Sequence, residues 1–172
     1  MSKWVACIGL AFALSAFAQI SPYVAEQHSD IKALSADEQA ALRAGKGMGF
    51  ARAAELNGYP GPLHVLELAE PLKLSDAQLA GTNELFARMQ RAAQTEGADL
   101  IDAERELDTL FATKAATTER VEAQLSRIEA IRARLRAVHL DAHLEQAKLL
   151  TSPQIARYGE LRGYDSQRHH GH

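Results

Sequence analysis

Seven histidines are the side chains best suited to site chemistry in this 172-residue chain. His139 and His143 stand four residues apart. On a helix that spacing puts both imidazoles on one face, where they can share a metal ion. His64 and Glu67, three apart, share a face in the same way. A site of His64, Glu67, His139 and His143 is nitrogen-rich with one carboxylate, a donor set that suits Zn, Ni, Co or Cu(II). A separate group, His169, His170 and His172, crowds the C-terminus and can bind metal weakly whatever the fold does. Packing or subunit-interface roles would use the helical histidines without any metal, so the two readings stand side by side.

Other chemistries find little support. The chain has one cysteine, Cys7, and no Gly-x-Ser-x-Gly, phosphate-loop or His-Glu-x-x-His motif. The glycine-rich run from Gly45 to Gly49 follows a helical stretch rather than a strand, which argues against a nucleotide fingerprint. No enzyme activity and no organic cofactor are expected. A formal charge of -3 with both signs mixed along the chain gives no reason to expect a nucleic-acid partner.

The elements that must position the histidines are helical. Aromatic residues make up only 6% of the chain, so a core must come from Leu, Ala, Ile and Val. No stretch alternates as a half-buried strand would. Ser35-Ala36-Asp37-Glu38 is a capping box opening a short helix to about Ala44. A second short helix is expected from Phe50 to about Leu56, stopped by Asn57-Gly58, and a third from Leu63 to about Ala69, ended by Pro71. Ser75-Asp76-Ala77-Gln78 opens a long helix with an apolar seam at Leu79, Thr82, Phe86, Met89, Ala93, Leu100, Ala103, Leu107 and Leu110, interrupted by Glu96. A second long helix, from about Glu119 to Leu149, carries Val121, Leu125, Ile128, Ile131, Leu135, Val138, Ala142 and Leu149. At about 100° per residue His139 falls about 20° from Ile128, inside this stripe, with His143 at its edge. Two such helices joined by a short linker pack as an antiparallel hairpin. Folding it about residue 115 sets the histidine pair opposite Met89. Thr151-Ser152-Pro153-Gln154 opens a last helix to about Leu161.

Residues 1–18 read as a signal peptide, with Lys3, the apolar run Trp4–Phe17 and an Ala16-Phe17-Ala18 cleavage site. Export to the periplasm follows from that reading, with an uncleaved membrane anchor as the alternative. Residues 19–34 read as a flexible lead-in, 35–164 as the helical domain and 165–172 as a histidine-rich disordered tail.

Leu74-Ser75-Asp76-Ala77-Gln78 is echoed by Leu150-Thr151-Ser152-Pro153-Gln154. This doubled Leu-Ser/Thr-x-x-Gln pattern resembles the LTxxQ signature of the Spy/CpxP family of periplasmic proteins, and the layout is similar to the heavy-metal resistance proteins of the CnrX and ZraP type. The resemblance spans roughly residues 35 to 164. It implies a hooked four-helix hairpin, a homodimer, and either metal sensing or ATP-independent chaperoning of unfolded envelope proteins. A third reading is a structural or signalling protein that binds a membrane-bound sensor or an anti-sigma factor through its hairpin. For the chaperone alternative, Arg120, Arg127 and Arg134 recur every seven residues beside the apolar stripe and would rim a client surface with Phe86 and Met89. Ordinary surface ion pairs and core packing account for the same residues. The expectation is an exported metal-binding accessory or sensor protein of heavy-metal resistance or envelope stress.

Overall fold

The computed structural model describes residues 21–164. The expected signal peptide and the histidines at 169, 170 and 172 lie outside the described residues. Six α-helices follow a short 3-10 turn at Val24–Glu26: α1 (Ala36–Arg43), α2 (Arg52–Glu55), α3 (Pro62–Glu67), α4 (Asp76–Ala112), α5 (Thr118–Leu149) and α6 (Ser152–Leu161). The architecture is all-α, as the sequence implies: α4 and α5 pack as a long antiparallel hairpin and the short helices fold against it. No described helix is long and apolar enough to cross a membrane.

The helix starts follow the local chemistry. Ser35, Ser75 and Thr151 each accept from the backbone N–H three residues on, while Glu38, Gln78 and Gln154 reach back to the cap residue's own N–H. Each box therefore satisfies two amide donors that have no partner inside the helix. Thr117 caps α5 by accepting from the Arg120 amide.

The duplicated motif has a reason that only the fold reveals. The two glutamines meet. Gln78 Nε2 donates to the Leu149 carbonyl at 2.9 Å and stands 2.8 Å from Gln154 Oε1. Gln154 Nε2 donates to the Leu72 carbonyl at 3.2 Å and stands 3.0 Å from Gln78 Oε1. Each carboxamide oxygen serves its own helix start while each NH2 group fastens the other helix. Glutamate would satisfy the first task only, since an ionised carboxylate has nothing to donate.

Two apolar clusters result. The larger joins Ile31, Leu34, Leu42, Ala93, Leu100, Ile101, Ile128, Ile131 and Leu135. The smaller joins Val65, Leu72, Leu150 and Tyr158 beneath α3 and α6. Ile31, with 0% of its surface exposed, and Leu34 are buried, so the last residues of the expected lead-in 19–34 pack into this cluster. From Ile31 onward the chain is packed, and Lys32 is tied to Asp108 at 3.1 Å.

The α4 seam also differs from its expected line. Leu85, Gly97, Ile101 and Glu104 are buried, whereas Leu79 is 39% exposed. A straight helix drifts by about 20° per heptad against a strict seven-residue repeat, and α1 buries a second strip of α4. There α1 crosses so closely that a Cβ on Gly97 would stand 2.5 Å from the Leu42 carbonyl oxygen. Glu96, the break in the expected seam, is held by the Arg134 guanidinium at 3.0 and 3.1 Å.

Candidate functional site

The hairpin brings the α5 histidines against α4 at the level of Met89. His139 is 3% exposed and His143 9%, so both belong to the packed face. The link behind α1 and the turn before α3 wrap over them. Together these segments enclose a cavity of about 460 Å³ whose walls include His64, His139, His143, Phe86, Met89 and Gln90. A groove of about 450 Å³ lies on the other side of His64 and His143 and is lined by Met48, Glu55, Leu56 and Tyr164.

The ring nitrogens are arranged unequally. His143 Nδ1 lies 2.7 Å from the Tyr59 carbonyl oxygen. A carbonyl only accepts, so Nδ1 carries the proton, and in the neutral ring the lone pair stands at Nε2. His64 Nδ1 lies 2.8 Å from the Glu67 carboxylate, which orients that ring in the same sense. His139 stacks on Phe50, ring centres 5.9 Å apart and planes 12° from parallel. Its Nε2 is buried without a hydrogen-bond partner. Burial, and the neighbouring His143 after it, push the His139 pKa below its ordinary value, so the ring is neutral at pH 7.

Gly61 is required by this packing. A Cβ there would stand 2.9 Å from His143 Cε1 and 3.0 Å from its Nε2. Pro60 and Pro62 flank it and stiffen the turn that presses on the ring.

Behind His143 lies a polar cluster centred on Glu55. Its Oε1 accepts from the Tyr158 hydroxyl at 2.5 Å and from the Tyr164 hydroxyl at 2.8 Å, with Arg162 Nε 3.4 Å away. Its Oε2 is buried without a hydrogen-bond partner, 3.7 Å from His143 Nδ1. Burial and then the Glu55 carboxylate push the Tyr158 phenol far above its ordinary pKa, so it stays a donor. Glu55, Gly61, Tyr158 and Tyr164 carry no helical spacing to the histidines, and the sequence gives no sign that they meet.

The fold thus gathers His64, His139 and His143 around one cavity and leaves Glu67 outside its walls, bound to His64. Among the described residues, no three His, Cys, Asp or Glu side chains form a ready-made ligand cluster. Phe86 and Met89 are half-buried and share the cavity's walls with the histidines. The three arginines are occupied: Arg127 with Glu106, Arg134 with Glu96, and Arg120 with the Ala115 carbonyl. Comparisons of the chain with family models, with curated proteins and with solved structures return no match.

Proposed function

We propose that this protein binds a transition-metal ion through His139 and His143, with His64 at the rim, and acts in the cell envelope as a metal-binding accessory or sensor protein. One observation carries the reading: His139 belongs to the wall of a cavity, and its buried Nε2 has no hydrogen-bond partner within the fold. A buried nitrogen lone pair left unpaired costs about 1–3 kcal/mol, and a bound metal ion removes that cost. The backbone carbonyl behind His143 and the carboxylate behind His64 each face a ring Nδ1 and fix the ring's orientation, as acceptors behind metal-binding imidazoles do. Neutral imidazole suits Zn, Ni, Co and Cu, and the His139 environment favours the neutral ring. Glu67 acts on this reading through His64 rather than as a ligand.

The test is calorimetric titration of Zn(II), Ni(II), Co(II) and Cu(II) into the full chain carrying Ala at 169, 170 and 172. One ion per chain is expected, lost in His139→Ala and in His143→Ala. Undiminished binding by both variants would sink the proposal.

A further inference from the structure

We propose that the ion this cavity selects is cuprous, Cu(I), held by the imidazoles of His139 and His143 and the thioether of Met89. The inference rests on the reading of the cavity as a metal site and narrows it to one ion.

Three features separate Cu(I) from the divalent ions. The first is charge. No aspartate or glutamate lines the cavity, while Lys46 does. A divalent ion would find no carboxylate in the wall itself; the buried one nearest it, Glu55, lies behind His143, 3.7 Å from its Nδ1, and is shared with two phenols and Arg162. The cost of moving an ion into a low-dielectric site grows with the square of its charge, so a monovalent ion is far less penalised. The second is ligand type. Thioether sulfur is a soft donor that favours Cu(I), whereas Zn and Ni at carboxylate-free sites gain little from it. The chain holds three methionines. Two of them flank the His64–His143 wall, Met89 within the cavity and Met48 in the groove beyond it. The third is number. Cu(I) is satisfied by two or three ligands, which is what two imidazoles and one thioether supply. A four-coordinate divalent ion would have to draw on His64 and further donors as well.

Met48 also has a left-handed backbone, φ 43°, which an unbranched non-glycine residue adopts only at an energetic cost. Its side chain is 44% exposed and lines the groove on the far side of His64 and His143.

The test uses the full chain carrying Cys7→Ser, His169→Ala, His170→Ala and His172→Ala, titrated anaerobically with Cu(I) against the chelator bathocuproine disulfonate, and separately with Zn(II). The expected result is one Cu(I) per chain, with X-ray absorption reporting a sulfur scatterer. Met89→Leu, which conserves volume and is expected to leave the helical circular dichroism intact, should weaken Cu(I) binding by about tenfold or more and Zn(II) binding by much less. Unaltered Cu(I) binding in Met89→Leu overturns the inference. So does a chain that takes up Zn(II) through its histidines yet yields all Cu(I) to the chelator, and that second outcome leaves the broader metal reading standing. If neither ion binds, both fail together.

Discussion

At the residue scale the consequence of burial is clearest at His139. Its pKa is lowered in the folded chain, so below the unfolded value, 6.5, the unfolded chain takes up a proton that the folded chain refuses. Stability is then complete above that value and falls as the pH drops through it towards the folded pKa. Urea unfolding at pH 7.5 and 5.5 should show the parent losing more stability than a His139→Leu variant over this interval. Equal losses would mean that His139 titrates as an exposed ring. The histidine pair was legible in the sequence because its spacing coincides with the stripe of the helix that carries it. Glu55 was not. It sits on a helix of four residues, and its hydroxyl partners are 103 and 109 positions away. No periodic pattern connects them.

At the element scale, helix starts were the most readable feature, because a capping box is a local bargain between a side chain and three amides. What the boxes do beyond their own helices was hidden. Glu38 and Gln78 look equivalent in sequence, yet only Gln78 reaches another element. Gln78→Glu retains the acceptor for Ser75 but removes the donor to the Leu149 carbonyl, and is expected to cost about 1–3 kcal/mol. Glu38→Gln loses only a carboxylate at a helix N-terminus, worth about 1 kcal/mol or less. Thermal unfolding followed by circular dichroism should separate them, since each kcal/mol moves the midpoint by about 2–4 °C at this size. Equal shifts would show that the cross-helix donation contributes nothing. The seam of α4 was only partly legible for a related reason. Its period was clear, but α1 lays a second buried strip on it through Gly97, and a glycine has no side chain to announce a contact.

At the scale of the whole molecule, α4 and α5 are laced by ion pairs: Arg88 with Glu145, Glu96 with Arg134, Glu104 with Arg132 and Glu106 with Arg127. Most are exposed and worth under about 1 kcal/mol each. Glu104 differs, with only 5% of its side chain exposed and Arg132 at 2.6 Å. Arg132→Met would strand a buried carboxylate and is expected to cost about 3 kcal/mol. Arg88→Met should cost under about 1 kcal/mol by the same urea measurement. Comparable losses would place both pairs in solvent. The hairpin as a whole was legible from two long amphipathic stretches and a short polar linker. The buried lead-in at Ile31 was not, because two apolar residues in a polar segment form no repeat. The paired glutamines bear on the hairpin in another way. They lie 76 positions apart and join the two ends of α4 and α5 that the linker leaves free. The hairpin is therefore topologically a ring, closed covalently at one end and by side-chain amides at the other. In a chain whose single cysteine lies at position 7, this clasp restrains splaying at the end where a disulfide would do the same. Unlike a disulfide, it is indifferent to the redox state of its surroundings.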